Sequence, residues 1–165
     1  MKRARTDAEH VFRAARATMR RKKLALLATQ GTGGVDARVL QPFPPDDDLV
    51  VFMGTRRGSR KAQQIEESGR ATLVYEDDAK DACVTLIGKA SIVEDDAMRA
   101  KYFSDLWYAF FPGGPLSDEY VLIRFEPEKI EVLDFARKVT PPPFGLRAAT
   151  LTQKDGRWEI AELAA

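Results

Sequence analysis

The chain has 165 residues, enough to close one hydrophobic core of ordinary size but not two comfortable ones. Its 26 Lys and Arg nearly cancel its 25 Asp and Glu, so no whole-molecule field draws it to nucleic acid or to an anionic membrane, and any anion site must be local. A single cysteine, Cys83, excludes an internal disulfide and a cysteine-cluster metal site and suits a reducing cytoplasm.

No apolar run reaches the roughly 18 residues that a membrane span needs, and the basic residues 1–5 lead into a charged helix rather than a signal-peptide core. A soluble, unexported protein is expected. Thr6 and Glu9 have the spacing of a capping box, and Phe12, Ala15 and Met19 recur on one face, which predicts a first helix over 7–20. Its basic end, Arg20 to Lys23, complements the negative pole of the helix, a plainer reading than nucleic-acid binding. His10, the one histidine, has no second ligand at metal spacing, which argues against zinc or haem. The apolar run 24–29, the glycine-rich turn 30–34 and the run 35–42 read as a hairpin that Pro42 and Pro44 end. Asp46, Asp47 and Asp48 read as a solvated turn, because no oxygen-rich loop surrounds them to complete a metal site. A strand re-enters over 49–52.

The stretch Gly54-Thr55-Arg56-Arg57-Gly58-Ser59-Arg60-Lys61 follows as a strand end, a basic loop and the opening of an amphipathic helix that Gly69 stops. The first turn of a helix carries unpaired N–H groups and the positive end of the dipole, so an anion is welcome there. The Ser59 hydroxyl and the Arg60 and Lys61 cations would add charge-assisted hydrogen bonds. On charge alone a solvated basic loop is the plainer reading of this stretch, and a phosphate cradle the sharper one.

Strands are predicted over 71–75 and 82–93, the second bent or bulged at Gly88. Residues 95–110 read as one helix, with Met98, Tyr102, Leu106 and Phe110 at a spacing of four and Phe103 and Trp107 widening an apolar face suited to core or subunit interface. After a loop at 111–115 come strands over 120–125 and 129–135, separated by a turn at Glu126-Pro127-Glu128. A Pro-rich linker at 140–143 leads to a hairpin of 149–152 and 158–160, turning at Lys154-Asp155-Gly156. The pattern predicts a mainly β protein with helices (α+β), a closed antiparallel barrel of six or more strands.

The residues Arg38-Val39-Leu40, Thr55, Gly58-Ser59-Arg60-Lys61-Ala62, Gln64-Ile65-Glu66, Ile87-Gly88-Lys89-Ala90, Trp107, Phe111-Pro112-Gly113-Gly114 and Tyr120-Val121-Leu122-Ile123 occur in an order with a family likeness. Over 9–135 the chain resembles the pyridoxamine-phosphate-oxidase-like flavin-binding split barrels, especially the small general stress protein branch. The resemblance implies an FMN-binding split-barrel domain over 1–136 with a C-terminal extension over 137–165, assembled as a homodimer with flavin at the subunit interface. It implies that Lys61 and Arg60 pair the phosphate, that Ser59 and Thr55 donate hydroxyls to it, and that Arg38 reaches the phosphate or ribityl region. Backbone groups of Val39, Leu40 and Gln41 would bond the edge of the flavin ring, and Trp107, Phe111 or Phe135 of a partner would touch the ring. FMN is implied ahead of FAD or a deazaflavin.

The true oxidases carry a glutamine where this chain has Cys83, and they grip their substrate with a closing segment containing Arg and His. With His10 the only histidine, that clamp has no counterpart. The stress branch also ends its last barrel strand with a tryptophan where Phe135 stands. The expectation is therefore an FMN-dependent oxidoreductase and not a vitamin B6 oxidase, with a non-catalytic flavin sensor or store as the alternative. Neither a nucleic-acid nor a membrane partner is expected, and the lack of any acid/base or nucleophile constellation suits chemistry carried by a cofactor.

Overall fold

A computed structural model of the chain describes residues 7–139 and 147–161. The expected linker at 140–143, and Thr6 of the expected capping box, lie outside the described residues. Helix α1 spans Ala8–Arg21, and its N-cap is Asp7, whose carboxylate accepts from the His10 N–H at 2.7 Å. An Asp one residue closer to the helix does the capping that the Thr6 spacing suggested. Val11, Ala14, Ala15 and Met19 are buried and lay α1 across the sheet.

Among the described residues eight strands make one antiparallel sheet: β1 (Ala25–Gly31), β2 (Gly34–Leu40), β3 (Val51–Arg56), β4 (Arg70–Asp77), β5 (Ala82–Val93), β6 (Tyr120–Asp134), β7 (Ala149–Lys154) and β8 (Arg157–Ile160). They run in the order β2-β1-β4-β5-β6-β7-β8, and β3 pairs with β6 off that path. Among the described residues no strand pairs with the outer side of β2 or of β3. The barrel is therefore split rather than closed, as expected from the family likeness and not from strand count alone. Helix α2 (Arg60–Ser68) bridges from β3 to β4, and Gly69 ends it in the left-handed conformation at φ 65°.

Strand β6 replaces the two strands and turn expected at 120–135. The chain runs through Pro127 as one strand because the register against β5 shifts there: Ile87 faces Lys129 and Gly88 faces Pro127, so Glu128 is the extra residue of a bulge. A bulge accommodates a proline without losing the ladder. It is also where β6 changes neighbours. Before it, Tyr120 to Phe125 pair with β3; after it, Lys129 to Val132 pair with β7. The C-terminal hairpin thus continues the same sheet, and Trp158 on β8 packs on Phe12 of α1 at 6.0 Å between ring centroids.

The expected helix over 95–110 is two pieces. Helix α3 (Asp96–Lys101) stops at Tyr102, and a 3₁₀ turn follows at Asp105–Ala109. The Tyr120 hydroxyl donates to the Tyr102 carbonyl, taking an acceptor that a continuing helix would need. The break lets Tyr102, Phe103, Trp107 and Phe111 gather round Phe52 and Tyr120, while Leu106 and Phe110 remain 82% and 66% exposed. These aromatics form a second, smaller core on one face of β3, separate from the barrel interior that holds Val51 and Met53. No helix among the described residues is long and apolar enough to cross a membrane.

An added Cβ at Gly88 would collide with the backbone carbonyl of Glu126 in the bulge. Gly88→Ala is therefore expected to destabilise the fold by about 1–3 kcal/mol, the usual cost of overpacking. Urea unfolding should give a lower midpoint with an unchanged m value; a midpoint equal to wild type would mean that the bulge absorbs the methyl.

Candidate functional site

Strand β3 ends beside the start of α2, and alternation along the strand decides what meets there. Thr55 points to the buried side of β3, whereas Phe52 and Gly54 face the aromatic core. Ser59 is the N-cap of α2, its hydroxyl accepting from the Ala62 N–H and lying 3.1 Å from the Thr55 hydroxyl. Lys61 Nζ donates to Thr55 Oγ1 at 3.1 Å. Two hydroxyls and an ammonium thus converge at the positive pole of α2.

The charge order of this helix is unusual for the chain. Helix α1 has Glu9 in its first turn and Arg20 and Arg21 in its last, and α3 has Asp96 first and Arg99 and Lys101 last, both as the dipole favours. Helix α2 has no acid in its first turn and starts with Arg60 and Lys61. A third cation, Arg38, comes from β2. Burial lowers the Lys61 pKa, and the neighbouring charges of Arg38 and then Arg60 push it the same way. Burial lowers that of Arg38 as well, against the pull of Asp36 and with the push of Arg60. Asp36 is paired with Arg60 at 3.5 Å, and among the described residues no carboxylate pairs with Lys61 or Arg38. The cluster is short of negative charge.

Asp36 and Arg38 lie two apart on one face of β2, so both reach inward beneath α2. Arg38 Nη1 donates to Thr29 Oγ1 at 2.6 Å and to the Leu27 carbonyl at 3.3 Å, and Nη2 donates to Gln64 Oε1 at 3.4 Å. The Thr29 hydroxyl donates to Gln64 Oε1 at 2.6 Å, and Gln64 Nε2 donates to Asp36 Oδ2 at 2.6 Å. A carboxylate must accept and a guanidinium must donate, so this network admits one orientation of the Gln64 amide. Gln64, Thr29 and Asp36 were not among the expected site residues. Helical spacing sets Gln64 beside Arg60 and strand alternation sets Asp36 beside Arg38, but no local spacing ties Thr29 to either or brings the three together.

Of the expected residues, Arg38, Thr55, Ser59, Arg60 and Lys61 come together. Val39 points away from them, 60% exposed on the other face of β2, while Leu40 lies on the Arg38 side and Gln41 just past the strand. Val39 and Leu40 pair with Leu26 and Ala25 of β1, in an edge strand whose outer side no described strand pairs with. Trp107 lies apart, its indole covering Gly54 and contacting Tyr120 on the opposite face of β3 from Thr55. Arg57 also leaves the cradle: it pairs with Glu94, and its Nε donates to the Asp118 carbonyl at 2.6 Å. His10 is on α1, its ring 2.8 Å from the Arg137 carbonyl. Cys83 is half-buried on β5, and burial pushes its thiol pKa up, away from nucleophilic use.

Comparison with known proteins bears on the family and the fold. The sequence profile described as "Pyridoxamine 5'-phosphate oxidase like" matches residues 12–155. A solved structure of a protein related to general stress protein 26, from Clostridium acetobutylicum, superposes with a TM-score of 0.72 at 18% identity, covering 87% of this chain and 95% of that one. General stress protein 26 from Bacillus anthracis gives 0.63 at 21% identity over 74% and 93% of the two chains. A pyridoxamine 5'-phosphate oxidase-related, FMN-binding protein from Nostoc punctiforme gives 0.64 at 16% identity over 100% of each. At these identities the structures speak for the split-barrel fold alone. No curated protein matches the chain.

Lys61 supplies a test of the charge shortage. Its folded pKa lies below the 10.5 of a free lysine, so below both values the charged side chain destabilises the fold, and that penalty fades as pH rises through the lowered value. Lys61→Gln, without ligand, is expected to be more stable than wild type at neutral pH by about 0.2–1 kcal/mol once solvent screening is allowed for. The advantage should shrink as pH rises toward 10.5. Urea unfolding across pH measures it, and a variant less stable than wild type at neutral pH would make Lys61 a structural support instead.

Proposed function

The chain belongs to the pyridoxamine 5'-phosphate oxidase-like family, and from that we propose that it binds FMN through the β3–α2 cradle and works as a flavin-dependent oxidoreductase of the general stress protein type. The observation that carries the reading is the cation excess at the start of α2: Arg60 and Lys61 at the positive pole of a helix with no acid in its first turn. A phosphate relieves both the mutual repulsion and the dipole mismatch. The donor set fits the group, since it offers hydroxyls from Thr55 and Ser59 and cationic donors from Lys61 and Arg60.

In this reading Lys61, already aligned on Thr55, supplies the first charge-assisted bond to the phosphate, with Ser59 and Arg60 beside it. Arg38 is held by its three acceptors and lends positive potential from β2. The outer side of edge strand β2 at Val39 and Leu40, with Gln41 just beyond, would offer backbone donors and acceptors to the edge of the flavin ring. Bound FMN would supply the hydride and electron transfer, chemistry that the cofactor carries while the protein binds and orients it. Vitamin B6 oxidation is not proposed, because the one histidine, His10, lies on α1 with its ring against the Arg137 carbonyl. The apolar side chains left exposed at Val35, Val39, Leu106 and Phe110 support assembly as a homodimer, with ring contacts from a second copy. The cytoplasm is the proposed compartment. The alternative of a non-catalytic flavin sensor or store shares the same cradle.

The protein should take up FMN with a change in flavin absorbance and fluorescence, as a dimer of the 18.5 kDa chain in light scattering. Lys61→Ala should weaken the binding by about 1.5–3 kcal/mol, the worth of a hydrogen bond to a charged group. A protein that binds no FMN, or an unchanged affinity in the variant, removes this site. Anaerobic addition of NADH or NADPH should bleach the bound flavin; flavin left oxidised by both would favour the sensor.

A further inference from the structure

We infer that Asp36 is a resident counter-ion of the cradle, a residue that limits phosphate affinity and sets how strongly the site distinguishes a phosphorylated from an unphosphorylated flavin. The inference rests on the proposed FMN binding and concerns a residue outside the expected binding set.

The geometry places one carboxylate beside two of the three cations, Arg60 and Arg38. Asp36 Oδ2 is 3.5 Å from Arg60 Nε and accepts from Gln64 Nε2 at 2.6 Å. Gln64, 7% exposed, is fixed in turn by Thr29 and Arg38. Asp36 therefore cannot swing away without breaking a buried amide network. Its side chain is 34% exposed, and with Arg60 it lines an open polar cleft of about 490 Å³ between the β1–β2 turn and α2. The carboxylate is thus held where a ligand phosphate on Arg60 would feel it.

Two consequences follow with opposite signs. Without ligand, Asp36 compensates charge, and it is the group whose field opposes the lowering of the Arg38 pKa. With phosphate bound, the same carboxylate becomes a fixed like charge beside a dianion. Removing the charge while keeping the shape should loosen the empty site and tighten the filled one. Asp36→Asn does this, because an amide oxygen can still accept from Gln64.

The experiment compares wild type and Asp36→Asn for FMN and for riboflavin, which lacks the phosphate, at low and high salt. The variant is expected to bind FMN about 2- to 10-fold more tightly, the scale of a partly exposed charge pair, with the gain reduced at high salt. Riboflavin affinity should not change, and the thermal midpoint of the flavin-free protein should fall. If Asp36→Asn does not fold, Asp36→Ser makes the same comparison. Unchanged or weaker FMN binding, or an equal change for riboflavin, overturns the inference while leaving FMN binding in place. A wild-type protein that binds neither flavin overturns both readings.

Discussion

The start of α2 holds positive charge where a helix least tolerates it, and much of the surrounding structure is a response to that. Each cation at the wrong pole costs about 0.3–1 kcal/mol, and here Arg60 and Lys61 stand together with Arg38 close enough to add to their repulsion. The protein answers with neutral acceptors rather than with carboxylates. Thr55 takes Lys61, and Thr29, Gln64 and the Leu27 carbonyl take Arg38. Among the described residues Asp36 is the one carboxylate paired with this cluster. Neutral acceptors orient cations without neutralising them, which keeps their field available to a ligand.

Holding such a cluster requires a rigid base, and β6 provides it. Its residues alternate between two cores: Ile123 and Phe125 face the barrel interior, whereas Tyr120 and Leu122 face the aromatic cluster. The bulge at Glu128 lets one strand serve β3 on one stretch and β7 on the next. Because β6 is the one strand that pairs with β3 among the described residues, the position of Thr55 depends on the register of Val51 to Arg56 against that first stretch.

The strands were legible wherever alternation or turn chemistry was strong. Residues 82–93 read as a strand bent or bulged at Gly88, and that strand is present with the bulge opposite Gly88 on β6; the Asp155-Gly156 hairpin is present as well. What failed were cases decided by distant partners. Pro127 reads locally as a turn, but Gly88 across the sheet gives it room to stay in the strand. The spacing of four from Met98 to Phe110 reads as one helix, but the Tyr120 hydroxyl claims the Tyr102 carbonyl. The convergence of Thr55, Ser59, Arg60 and Lys61 was legible because these residues are close in sequence. Gln64, Thr29 and Asp36 were not, since β2, β1 and α2 meet only in the fold.

The two faces of β3 carry separate duties. Thr55 looks toward the cradle, while Gly54, one residue earlier, is covered by the Trp107 indole. The strand backbone stands between them as an insulating partition. Substitutions among Phe43, Tyr102, Phe103 and Trp107 can reshape the aromatic annex without entering the hydrogen-bond network of Arg38 and Lys61. A lineage could therefore vary that annex freely and inherit the anion-binding end intact.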